Sequence, residues 1–210
     1  MTAPRSIRRL GYMGVAIGAP MLTAVAAMAG QTSSLDELIG RLRQGGYVLV
    51  MRHASSPREA PSKDVANADN TKLERQLDEA GRRGATAMGE AIRALRIPIG
   101  VVLTSPTYRA METIRLARFD SPTTVNELSD GGQSMQGITE APAAWLRARV
   151  TETPRSGNTI LVTHQPNLSR AFPDWGSSVA DGETVILRPD GKGGISVLGR
   201  IPIEEWARLR

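Results

Sequence analysis

The stretch Tyr47-Val48-Leu49-Val50-Met51 is apolar, and it runs directly into Arg52-His53-Ala54. A short apolar run without polar alternation is the mark of a strand buried on both faces, as in the parallel sheets of α/β domains. Two further runs share the same plan. Ile99-Gly100-Val101-Val102-Leu103 leads into Thr104-Ser105-Pro106-Thr107-Tyr108-Arg109-Ala110, and Thr159-Ile160-Leu161-Val162-Thr163 leads into His164-Gln165-Pro166-Asn167. Ligands of open α/β sheets bind outside the carboxyl ends of the strands. Three polar strand ends meeting there would gather two arginines and both histidines of the chain around one ligand.

Helical patterns lie between these runs. Ser33 and Ser34 are candidate caps for a helix carrying Leu35, Leu38, Ile39 and Leu42, which Gly45-Gly46 ends. Leu73, Leu77, Ala80, Gly84, Met88, Ala91 and Leu95 recur at helical spacing and predict helix over most of 73–95. Residues 54–72 read as a long polar loop, and a loop of that length in a compact domain is often functional. Ser105-Pro106 predicts a further helix with serine as cap and proline first, which makes Arg109 the fourth helical residue. A short strand at 123–125, a helix at 141–151 and a hairpin at 185–198 complete the pattern. Alternating strands and helices predict an α/β domain of three αβα layers. Its sheet would be mostly parallel, with helices on both faces and an antiparallel edge.

The chain has 210 residues, no cysteine, two histidines and a formal charge of +5. The absence of cysteine excludes a disulfide scaffold, an iron–sulfur centre and thiol catalysis. Two histidines argue against a histidine-rich zinc site, so neither a metal nor a cofactor is expected. Arg5, Arg8 and Arg9 carry much of the positive charge, and no acid occurs among the first 35 residues. Beyond that segment 23 basic and 21 acidic residues remain. Arg82, Arg83, Arg93 and Arg96 are interleaved with Glu79 and Glu90, which reads as a solvated face and not a nucleic-acid patch. The basic start, the apolar residues 10–29 and Ala27-Met28-Ala29 have the order of a secretory signal cleaved after Ala29. An uncleaved membrane anchor is the alternative, although Gly11, Gly14, Gly18 and Pro20 interrupt the apolar run. Arg8-Arg9 matches a twin-arginine signal in part. The expected organisation is a signal over residues 1–29 and a single domain over 30–210, periplasmic or secreted, touching membrane only during export.

A cation in the first turn of a helix is mildly unfavourable, and a bound anion reverses that sign, because phosphate suits helix N-termini and guanidinium forks. With that placement for Arg109, the chain resembles the histidine phosphatase superfamily, the phosphoglycerate mutase-like fold. The resemblance rests on Leu49-Val50-Met51-Arg52-His53-Ala54, on Thr104-Ser105-Pro106 with Arg109-Ala110 and Glu112-Thr113, and on Val162-Thr163-His164. Asn70, Arg75-Gln76-Leu77 and Glu79-Ala80-Gly81-Arg82 resemble the segment between the first two motifs. The likeness spans roughly 46–170. Ala54, where many members carry glycine, is similar to the branch containing small phosphohistidine phosphatases.

The resemblance implies that His53 is the nucleophile and forms a phosphohistidine that water hydrolyses. Arg52, His53, Arg109 and His164 would bind the phosphoryl group of a small phosphorylated substrate. Imidazole attacks only when neutral, and the two arginines disfavour its charged form. The resemblance also calls for an acid at the leaving group. Gln165 comes directly after His164, so the variant with aspartate there is absent. Glu127 is the favoured candidate, against the reading that it is a solvated loop carboxylate, and Asp130 is less favoured. Gly191-Lys192-Gly193-Gly194 reads as a hairpin turn, and Glu183 as a strand-edge charge. A metal-independent phosphatase is the leading expectation. A protein phosphohistidine phosphatase, a mutase and a non-catalytic phosphate binder are its rivals.

Overall fold

Leu49 and Met51 enter one buried cluster while Val48 and Val50 enter another. Successive strand residues point to opposite faces. Burial of both faces is therefore why the opening run lacks alternation. The computed structural model describes Met1 and residues 34–130 and 139–209. The expected signal, Met1 apart, and the Ser33 cap lie outside the described residues. Val48–Arg52 is strand β1, succeeded in chain order by β2 (Ile99–Thr104), β3 (Thr123–Thr124), β4 (Asn158–Thr163), β5 (Thr184–Pro189) and β6 (Ile195–Ile201). They form one sheet in the order β3-β2-β4-β1-β5-β6. β3, β2, β4 and β1 are parallel; β5 runs antiparallel to β1 and closes a hairpin with β6.

Helices cover both faces. On the first lie α1 (Leu35–Leu42), α2 (Glu79–Ala94) and α3 (Tyr108–Ala117), around Leu42, Met88, Ile92 and Ile114. On the second lie α4 (Glu140–Val150) and α5 (Gln165–Ala171), around Leu146, Val150 and Leu168. The short α6 (Ile203–Trp206) adds Trp206 to the first core. This is the α/β fold of three αβα layers that the sequence predicts. Periodicity does not foreshadow α5 or α6, which have seven and four residues.

Two helix starts differ from expectation. α2 begins at Glu79, not near Leu73, because the Asp78 carboxylate accepts from Gly81 N at 2.7 Å and caps it there. Its buried face is Gly81, Ala85, Met88, Gly89, Ala91 and Ile92. That face is small because α3 passes so close that a Cβ on Gly89 would lie 2.0 Å from the Ala117 carbonyl oxygen. α3 begins at Tyr108 with Thr107 as N-cap. Ser105 Oγ accepts from Thr107 N at 3.2 Å and closes a turn ahead of the helix, so Arg109 is the second helical residue and not the fourth.

The long loop spans 53–78, further than expected. The buried Glu112 ties it to α3, accepting from Leu77 N at 2.8 Å and from Asn67 Nδ2 at 2.9 Å. Glu74 Oε2 accepts from Tyr108 N at 2.9 Å and occupies the open amide at the helix start. Among the described residues no helix is long and apolar enough to cross a membrane.

Candidate active site

β1, β4 and β2 are adjacent and parallel, and their register pairs Arg52 with Thr163 and Thr104 with Val162. Their carboxyl ends are therefore level, and the residues just beyond the three strands meet at one edge. Arg52, His53, Arg109 and His164 come together there.

Arg109 is the hub and is 5% exposed. Its Nε donates to His53 Nε2 at 3.2 Å, and its Nη2 donates to His164 Nδ1 at 3.0 Å and to the Asp130 carboxylate. These contacts assign the ring protons, because a guanidinium can only donate. His53 Nδ1 lies 2.8 Å from the Ala54 carbonyl oxygen and so carries its proton, which leaves the lone pair on Nε2. His164 accepts at Nδ1, so its Nε2–H points to Ser105 Oγ at 2.8 Å and lies 3.2 Å from Thr107 Oγ1. The two ring centroids are 5.1 Å apart. Arg52 donates to the Val179 carbonyl at 3.3 Å and pairs with Asp181 at 2.7 Å.

Residues 48–130 match the family model described as the histidine phosphatase superfamily, branch 1. Over that segment the chain is similar to the histidine phosphatase superfamily. The protein histidine phosphatase SixA, solved with tungstate, is similar at 18% identity with a TM-score of 0.56, over 76% of this chain and 98% of its own. A mutant phosphoserine phosphatase from Entamoeba histolytica, solved with phosphoserine, is 9% identical with a TM-score of 0.52, over 75% of this chain and 98% of its own. At such identities the likeness shows the shared fold. No curated protein sequence matches the chain.

At the strand ends both imidazoles resist protonation. Burial pushes His53 down to about 3 against the pull of the Ala54 carbonyl, and Arg109, Arg52 and Arg75 add to the depression. His164 is held well below its ordinary range by burial first, then by Arg109, His53, Arg75 and Arg52. Two neutral rings beside three guanidinium groups suit an anion that needs a nucleophile on one side.

The carboxylates fall differently from the sequence reading. Glu127 lies half-buried in the 3₁₀ turn Asn126–Leu128. Its main-chain carbonyl accepts from Asn167 Nδ2 at 3.1 Å, and among the described residues its carboxylate bonds to neither histidine. Asp130, the less favoured candidate, is the acid against Arg109, with an oxygen 3.6 Å from His164 Nδ1. The turn puts Asp130 over the strand ends, while Leu128 enters the core and its carbonyl accepts from Thr163 Oγ1 at 2.8 Å. Glu183 accepts from Ala180 N at 2.8 Å and shapes the bend before β5. Asp190 Oδ1 accepts from Lys192 N and Gly194 N, which makes the glycine-rich segment a hairpin turn. Sequence reasoning missed Asp181 and gave Arg75 no role. Asp181 has no signal of its own, because only the antiparallel pairing of β5 with β1 carries it to Arg52.

Proposed function

We propose that the chain is a metal-independent phosphatase that hydrolyses small phosphate monoesters through a phosphohistidine on His53. The observation that carries this reading is the Nε2 lone pair of a neutral, buried His53 held by the same guanidinium that touches His164 and Asp130. Nε2 attacks phosphorus, the N–P bond forms and the P–O bond to the leaving alcohol breaks. The Nδ1–H stays in place, and the Ala54 carbonyl stabilises the positive charge that develops on the ring. Arg109 and Arg52 hold non-bridging oxygens. Ser105 Oγ and Thr107 Oγ1 are rotatable hydroxyls, so His164 Nε2 is equally well partnered with or without its proton. That freedom lets Nδ1 become the donor to a phosphoryl oxygen.

Asp130 is the proton donor to the leaving oxygen in this reading. A phosphate dianion and a carboxylate against one guanidinium repel each other, which favours a shared proton between them. Asp130 passes it to the departing alkoxide, and water then cleaves the N–P bond to release phosphate. The order of basic, apolar and small-residue segments at the start supports an exported protein.

The test is turnover of phosphomonoesters by the purified protein, with an alkali quench during turnover. Acid-labile phosphate on His53, and loss of nearly all activity in a folded His53→Ala variant, are the expected results. Wild-type rates in that variant would overturn the mechanism. Mass spectrometry of protein from its host should find an N-terminus near Gly30 or Gln31; an intact form confined to the cytosol would overturn export.

A further inference from the structure

Three consecutive main-chain carbonyls precede Asp130, and each is held by a side chain close to His164 in the chain. Asn167 Nδ2 donates to the Glu127 carbonyl at 3.1 Å and to the Ser129 carbonyl at 3.0 Å. Thr163 Oγ1 donates to the Leu128 carbonyl between them at 2.8 Å. Thr163 ends β4, His164 caps α5, and Asn167 is the third residue of that helix. Leu168 N donates to the His164 carbonyl at 3.1 Å and closes the first turn of the helix. The segment before Asp130 is thus fastened to the same few residues that set His164.

Asn167 is fully buried, and both of its side-chain N–H groups go to carbonyls. Its Oδ1 has no hydrogen-bond partner among the described residues. A buried acceptor without a donor is destabilising, yet turning the amide over would face Oδ1 against two carbonyl oxygens. Anchoring the segment in the core does not call for this amide, because Leu128 already enters the apolar cluster there. What the amide adds is direction. The Ser129 carbonyl belongs to the planar peptide that leads into Asp130, so holding its oxygen fixes the plane from which Asp130 extends. The Asp130 carboxylate then meets Arg109 and stands 3.6 Å from His164 Nδ1.

We infer that Asn167, with Thr163 beside it, is the positioning residue that aims Asp130 at the leaving oxygen. Asn167 acts through the acid and not on the phosphoryl group. The inference rests on the reading of Asp130 as proton donor given above.

The test is kcat/KM for ethyl phosphate and for para-nitrophenyl phosphate, in wild type, Asn167→Ala, Asp130→Asn and the double variant. A misdirected acid slows departure of the poor leaving group, whereas a loosened fold slows both esters alike. Asn167→Ala should therefore lower the alkyl-to-aryl ratio about 10–100-fold, a part of what a general acid contributes. In the Asp130→Asn background the same substitution should leave that ratio unchanged, since the two residues act as a unit. Asn167→Ala that slows both esters equally, or neither, would overturn the inference and make Asn167 a structural clamp. A further fall of the ratio in the double variant would overturn it too. If Asn167→Ala does not fold, Thr163→Val should lower the ratio about 3–10-fold, and an unchanged ratio overturns the inference. An Asp130→Asn ratio equal to that of wild type overturns the acid reading and this inference together. A lowered one with an indifferent Asn167 overturns this inference alone.

Discussion

His53 and His164 are the only histidines, so each imidazole is observable by itself in solution. Burial predicts that His53 does not titrate between pH 5 and 8, and its hydrogen bonds predict that it holds its proton on Nδ1. Nitrogen-15 NMR of the rings reads both; a ring titrating near pH 6.5 would sink this account. The same burial links stability to pH. Unfolded, His53 takes up a proton near pH 6.5; folded, it does so only at about 3. Stability is therefore complete above pH 6.5 and falls with acid through that window, by about 1.4 kcal/mol per pH unit. His53→Ala should lose about 2 kcal/mol less than wild type between pH 6.5 and 5, in urea titrations at the two pH values. Parallel losses would place His53 in a solvated setting. Asp130→Asn should slow alkyl phosphates about 10²–10⁴-fold and aryl phosphates far less, because only the poor leaving group needs the proton. It should also tighten binding of inorganic phosphate, since Arg109 loses its carboxylate partner. Glu127→Gln should do neither. The reverse pattern would return the acid role to Glu127.

At the scale of elements, the site depends on how closely α2 meets the loop that leaves β1. A Cβ on Gly81 would lie 2.2 Å from the Ser55 carbonyl oxygen, which accepts from Asp78 N at 3.1 Å. Backbone cannot step aside as a side-chain tip can. On the same helix, the nearest atoms to a Cβ at Gly84 all belong to the Ile203 side chain, from 2.9 Å at Cδ1. Gly81→Ala should thus cost about 1–3 kcal/mol, while Gly84→Ala is absorbed by a rotamer change. In thermal melts the first variant should drop by several degrees, about 2–4 °C per kcal/mol for a domain of this size. Its kcat should fall as well, because Ser55 directly succeeds the His53–Ala54 segment. Equal melting temperatures for the two variants would contradict the close approach.

For the molecule as a whole, strand order governs both function and stability. Chain order would set β4 at an edge; instead it enters between β1 and β2 and delivers His164 opposite Arg109. Every residue of β4 is buried, as are the first four of β1, and each strand has a partner on both sides. β3 and β6 are edges, and β3 is two exposed residues long. Amide hydrogen exchange should accordingly be slowest in β1 and β4, near the rate of global unfolding, and faster by local opening in β3 and β6. Comparable protection in edge and centre would argue against this order.

The sequence by itself determined the layers and the strand ends. Val48–Met51 and Thr159–Thr163 have no polar alternation because both faces are covered, and that pattern is local. Arg52, His53 and His164 were legible for the same reason, as polar groups directly beyond apolar runs, and Arg109 by its place at a helix start. Helix starts were less so. Asp78 and Ser105 decide theirs by hydrogen bonds to amides a few residues on, and such bonds compete with the periodicity that suggested earlier starts. The charge partners were not legible at all. Asp181 reaches Arg52 across antiparallel pairing, and Asp130 reaches Arg109 over the ends of β2 and β4. A sequence displays which charges the chain carries. Their pairing depends on distances of a few ångströms between segments far apart in the chain, and only the tertiary structure decides those.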